Sequence, residues 1–198
     1  MAIKVANNQS LTAITALPAA VSGGAMTLLS TQTASSSSTV TFDSNIDSTY
    51  KEYIFKYYDV HPSAGVRLAV NFRDGSTAYD ATKTSTFFEA YQNEAGTSTS
   101  LAYVTDYDLA QSTAVQSIGY IGNENDESCA GTLHLYDPSN TTFVKHYIAT
   151  TPGYHGSDLA LTSYVAGYCN TTSAIDGVQF SMTSGNIDSG TFKMYGVS

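Results

Sequence analysis

The sequence predicts an all-β protein: a jelly-roll-like two-sheet β-sandwich preceded by an extended N-terminal arm. Three observations carry this expectation. Fifteen Tyr and eight Phe, with no Trp and abundant Thr and Val, favour pleated, half-buried surfaces over helices. From about residue 39 onward, β-rich runs alternate with clusters of turn-forming residues. No stretch carries a sustained 3.6-residue apolar stripe, although Asp106 to Ala114 has room for one helical turn.

The 198 residues suit one domain, and the division expected is an arm over residues 1–42 followed by a sandwich over 43–198. The arm is rich in Ala, Ser, Thr and Gly, and Lys4 is its only charge. Its apolar positions, Ile3, Val5, Leu11, Ile14, Leu17, Val21, Met26, Leu28 and Leu29, are too many for a solvated linker, while Pro18 and Gly23-Gly24 break any long element. Such a segment needs a surface to bury against. It either packs along its own domain as edge strands or contacts a neighbouring subunit, and the second reading makes Ile3, Val5, Leu11, Ile14, Leu17, Val21, Met26 and Leu28 the expected assembly contacts. The run Ser35 to Ser38 then reads as a short flexible hinge.

Ten strands are expected after it. They are Thr39–Phe42, Tyr50–Val60, Val66–Arg73, Thr86–Asn93, Ala114–Ile121, Gly131–Asp137, Phe143–Thr150, Leu161–Asn170, Ile175–Thr183 and Thr191–Val197. Turn chemistry separates them at His61 to Gly65, Asp74 to Ser76, Asn123 to Ser128, Asp137 to Asn140, Thr151 to Gly153 and Ser184 to Asn186. Alternation supports several strands: Tyr53, Phe55 and Tyr57 share one face and Glu52, Ile54 and Lys56 the other, while Val178, Phe180 and Met182 oppose Gln179, Ser181 and Thr183. Residues 74–86 and 94–113 are lengthy inserts, and a meander barrel is the second architectural choice. Asn45-Ile46-Asp47-Ser48 recurs as Asn186-Ile187-Asp188-Ser189, which reads as one turn type used twice.

Composition excludes several functions. Asp, Glu, Lys and Arg make up only 13% of the chain, about half the usual share, and the net charge is −9. Such a surface repels phosphate, so nucleic acid and anionic membranes are not expected partners. No apolar run approaches the ~20 residues of a bilayer-spanning helix. The start of the chain is a poor match to a signal peptide, since Asn7, Asn8 and Gln9 separate Lys4 from the weakly apolar Leu11 to Val21. An unprocessed chain, made in the cytoplasm, is the expectation, and the sequons at Asn8, Asn140 and Asn170 read as chance matches. Cys129 and Cys169 lack metal-ligand spacing and are expected to be free thiols.

Chemistry-bearing constellations are sparse. If the hairpin Gly131–Thr150 turns around Pro138–Thr142, positions summing to 280 pair and bring His134 opposite His146. Zinc would need a third ligand, so cross-strand polar packing is the expectation and no metal or cofactor is assigned. The loop Asn123-Glu124-Asn125-Asp126-Glu127 is dense in oxygen ligands but lacks the glycine and distal bidentate Glu of an EF-hand loop, and reads as a solvated acidic loop. No nucleophile-elbow pattern or phosphate-cradling glycine motif occurs. Catalysis is not expected; paired carboxylates of the glycosidase kind are the weakest alternative. What stands out is a Tyr-, Ser-, Thr- and Asn-rich exterior with little charge, which suits adaptable binding surfaces and permanent subunit contacts.

Several segments resemble a known group. The opening Met1-Ala-Ile-Lys-Val-Ala-Asn-Asn-Gln-Ser, Leu17-Pro-Ala-Ala, Met26-Thr-Leu-Leu-Ser, Leu133-His-Leu-Tyr-Asp-Pro-Ser, Phe143-Val-Lys-His-Tyr, Tyr164-Val-Ala-Gly-Tyr and the ending Ser184 to Gly196 are similar to short virion proteins of marine tailed bacteriophages. The resemblance implies a structural component of the particle, made in the host cytoplasm and carried in the virion. It points to a capsid decoration, or cement, protein, expected as a homotrimer, that contacts the major capsid protein or other virion proteins. A tail fibre or receptor-binding module touching a host glycan or protein is the alternative.

Overall fold

Several strands come from runs in which apolar and polar side chains alternate, as with the buried Tyr53, Phe55 and Tyr57. A computed structural model describes residues 25–197. The elements are β1 (Met26–Ser37), β2 (Thr39–Phe42), β3 (Glu52–Pro62), β4 (Val66–Arg73), β5 (Lys83–Asn93), β6 (Thr99–Tyr103), β7 (Gln116–Ile121), β8 (Cys129–Tyr136), β9 (Lys145–His155), β10 (Leu159–Cys169), β11 (Gly177–Met182) and β12 (Ile187–Val197). They form an eight-stranded sheet, β1-β12-β3-β8-β9-β10-β5-β6, and a four-stranded sheet, β2-β11-β4-β7, with every pairing antiparallel. No helix occurs among the described residues, and Asp106 to Ala114 is irregular.

Two layers of different origin can be separated in this order. The runs β1-β12-β3-β8 and β2-β11-β4-β7 are the two four-stranded sheets of a jelly roll, in which the chain alternates between sheets. Two insertions, β5–β6 and β9–β10, then extend the first sheet to eight strands. The core lies between the sheets. Met194, Phe55, Leu133, Ala149, Val165 and Phe87 lie in register across six strands and are all buried. Phe42 and Phe180 face them from the other sheet, with ring centroids 5.3 Å between Phe42 and Phe55 and 5.1 Å between Phe180 and Phe192. Edge-to-face and tilted rings of this kind add to area burial. The sheets approach closely where β7 crosses β9: a Cβ on Gly119 would sit 2.5 Å from Cγ2 of Thr151, so only glycine fits.

Five expectations are corrected. The arm does not reach residue 42: β1 pairs along its length with β12, and Thr39–Phe42, expected as a strand, is β2 paired with β11, so the two are the first strands of the jelly roll. An arm packed along its own domain describes them better. The pattern is hidden because β1 buries little: Ala34 is buried and Leu29 partly so, while Met26 and Leu28 are exposed and the rest is Ser, Thr and Gln. The serine run is the corner at which the chain leaves one sheet for the other, with Ser36 at φ 48°, rather than a hinge. Residues 94–113 contain the edge strand β6.

Thr151-Pro152-Gly153 does not break the chain but lies within β9. The ladder to β8 lapses between Thr132↔Thr150 and Cys129↔Gly153, which accommodates a residue without an N–H. Finally, β8 and β9 pair with positions summing to 282, so His134 lies opposite Ile148 and not His146. The repeated Asn-Ile-Asp-Ser keeps one feature in both copies, a buried isoleucine, Ile46 and Ile187. Its backbone differs: φ is positive at Asn45 in the first copy and at Gly185, one residue earlier, in the second.

Candidate interaction surface

Because side chains alternate across a strand, the residues flanking the buried row must point away from the four-stranded sheet. On the inserted strands these are His146, Ile148, Thr150 and Pro152 of β9, Thr162, Tyr164, Ala166 and Tyr168 of β10, Thr84, Thr86 and Phe88 of β5, and Leu101 and Tyr103 of β6. No Asp, Glu, Lys or Arg stands among them. The jelly-roll half of the same face differs, carrying Lys56 opposite Lys193, and Glu52 bonded to His134.

The face is also apolar. Leu101 is 74% exposed, Tyr103 53% and Ile148 44%, and Phe88 is exposed beside them. Phe88 stacks on Tyr164, ring centroids 4.9 Å apart and planes within 12°, and pairs in register with Tyr103. The Tyr103 hydroxyl donates to Asp108 at 2.6 Å, which fixes the ring and raises the phenol pKa. Three shallow depressions open on this side: one of about 660 Å³ over Ala130, Pro152, Gly153, Tyr154 and Ala160, with Glu94 of the loop after β5 also in its lining, one of about 420 Å³ between Tyr136, His146 and Tyr168, and one of about 220 Å³ beside Phe88, Ile148 and Tyr164. Small residues at the ladder positions make the floors and Tyr rings the walls. Charge depletion with aromatic enrichment is the composition of the buried centre of a protein interface, and contiguous apolar surface of this kind marks a contact site.

The expected assembly contacts divide. Ile3, Val5, Leu11, Ile14, Leu17 and Val21 lie outside the described residues. Met26 and Leu28 are exposed on β1, with Leu28 opposite Tyr195, on the same outer face but at the edge of the sheet away from β6.

The remaining candidates are accounted for locally. His134 Nδ1 lies 2.6 Å from a Glu52 carboxylate oxygen. His146 packs edge-on against Tyr168. In the acidic loop, Glu127 is not solvated: its carboxylate is turned inward, accepts the backbone N–H of Glu124 at 2.5 Å, and sits against Gly122, where a Cβ would collide with it. The backbone carbonyl of Glu127 lies 2.7 Å from His61 Nδ1. No cluster of three or more His, Cys, Asp or Glu able to hold a metal occurs among the described residues. Cys129 and Cys169 are free and buried, and burial pushes the Cys169 thiol up to about 12.

Composition did not reveal the polar groups inside the sandwich. Arg67 of the smaller sheet grips Glu89 of the larger at 2.7 and 3.3 Å, with its guanidinium 3.5 Å from the Tyr107 ring centroid and Ser163 donating to the same carboxylate. Lys83 and Lys145 are fully buried on either side of Cys169, in register. A lysine at an inward position of an otherwise apolar alternation, as in Lys83-Thr84-Ser85-Thr86-Phe87, was the available signal. No family model matches the chain, and no curated protein matches it.

Proposed function

We propose that this chain is a non-enzymatic structural protein of a tailed-phage virion, specifically a capsid decoration protein that docks on the major capsid protein or on neighbouring subunits. The observation that supports it most is the uncharged, aromatic outer face of β9, β10, β5 and β6. Burying such a face on a partner removes apolar area from water without desolvating charge. The sequence resemblance points the same way, and a homotrimer is the proposed assembly unit. The net charge of −9 argues against nucleic acid as the partner.

A tail-fibre or receptor-binding role is the second reading, favoured by the depression between Tyr136, His146 and Tyr168, whose aromatic lining suits stacking against a host glycan. Co-sedimentation of the purified chain with expanded capsids tests the first reading. Phe88→Asp and Ile148→Asp each place a charge at the centre of the face, on exposed positions where the fold tolerates it. Each is expected to weaken binding at least tenfold with an unchanged far-UV spectrum. Unchanged affinity in both variants contradicts docking through this face.

A further inference from the structure

Lys83 is a fully buried lysine whose ammonium has no carboxylate partner among the described residues. Its Nζ lies 2.5 Å from Oδ1 of Asn71 and 2.8 Å from the carbonyl oxygen of Ala81. Asn71 is itself buried, and both ends of its amide are held: Oδ1 also accepts the backbone N–H of Phe72 at 3.1 Å, and Nδ2 donates to the carbonyl of Thr113 at 3.2 Å. An amine is thus pressed against an amide carbonyl that a backbone N–H already polarises, in a buried site. An unpaired buried charge is costly, and burial lowers the Lys83 pKa to about 8, so the free amine is accessible near neutral pH.

We propose that Asn71 and Lys83 join after folding to form an intramolecular isopeptide bond. Lys83 Nζ, as the neutral amine, bonds to Cγ of Asn71. The Cγ–Nδ2 bond breaks, and Nδ2 leaves as ammonia after taking one proton from Nζ. The negative charge that develops on Oδ1 is stabilised there by the hydrogen bond from the Phe72 N–H. No oxidant, reductant or co-reactant is required. The product removes the buried charge and joins β4 of the smaller sheet covalently to β5 of the larger, a permanent tie between the two layers. Lys145 is an internal contrast: its Nζ reaches only the backbone carbonyls of Phe143 and Thr171, with no side-chain amide to attack, and it remains an amine.

Intact-mass measurement of the folded, purified chain, followed by tryptic mapping, decides the matter. The expected mass is one ammonia below that of the amino-acid sequence. Trypsin is expected to spare Lys83 and to release residues 68–73 joined to residues 74–145, since no other Lys or Arg lies between 83 and 145. Lys83→Met and Asn71→Ala are expected to restore the full mass. A folded wild-type chain of full mass, cleaved after Lys83, overturns the proposal. So does an ammonia loss that maps to a linear peptide or persists in Lys83→Met, because that is a cyclic imide at Asn71 and not a cross-link. The mapping of the wild-type chain stands whether or not either variant folds.

Discussion

Single side chains inside the sandwich do more than fill space. Gln116 is fully buried, and its amide satisfies four partners: Ser85 and Tyr147 donate to Oε1 at 2.5 and 3.2 Å, and Nε2 donates to the carbonyls of Tyr107 and Ser117 at 2.9 Å each. The network links β7 to β5 and β9 across the core and pins the irregular segment after β6. Fully satisfied networks of this kind rigidify a core, whereas removal of one member strands the others. Gln116→Leu is therefore expected to cost about 3 kcal/mol, the desolvation penalty of several orphaned groups less the gain of an apolar side chain. Urea unfolding checks this, and a loss below about 1 kcal/mol would show that water or repacking replaces the bonds. None of this was legible beforehand, because a Gln at the head of Gln116-Ser117-Ile118 carries no mark that distinguishes a solvent-facing amide from a core one. The two buried lysines were hidden for the same reason, in that type alone assigns lysine to the surface.

At the scale of elements, alternation of bulky apolar side chains was the readable signal, and it worked where those side chains were present. β4 was located residue for residue as Val66–Arg73, and β3, β8, β10 and β11 to within a few residues. It failed for β1, whose inward positions are filled by Gln32, Ala34 and partly buried Leu29, and for β6, five residues long with its apolar members on the outer face. Register was a finer problem. A hairpin's pairing depends on the geometry of its loop, and the turn at Pro138 is two residues out of step with the symmetric guess, so His134 meets Ile148 and the imidazole pair disappears.

The revised boundary has a consequence for truncation. Removal of residues 1–24 spares every described strand and is expected to leave the thermal midpoint within about 3 °C of the full chain. Removal of residues 1–37 strips β1 from β12, bares the edge beside Phe192 and Met194, and is expected to lower the midpoint by more than 10 °C or abolish folding. Calorimetry of the two truncations distinguishes a strand from an arm: equal stability would return residues 26–37 to the arm.

For the whole molecule, the low charge fraction acquires a location. The jelly roll keeps Lys56, Lys193 and Glu52 on its part of the outer face, the turns carry most carboxylates, and the inserted strands present a face without Asp, Glu, Lys or Arg. Fold class was readable from composition and turn spacing because they report on the average residue. The uncharged outer face was not, because it exists only once β9, β10, β5 and β6 lie side by side, an order that no local pattern encodes. An uncharged aromatic platform grafted on a jelly roll makes a partner-binding role the central claim. An image of the assembled particle with this chain in place tests it most directly. The expected result is hundreds of copies per capsid, each with the outer face of β9, β10, β5 and β6 covered by capsid protein or a neighbouring copy. A chain absent from the particle, or one seated on the capsid with that face open to solvent, contradicts it.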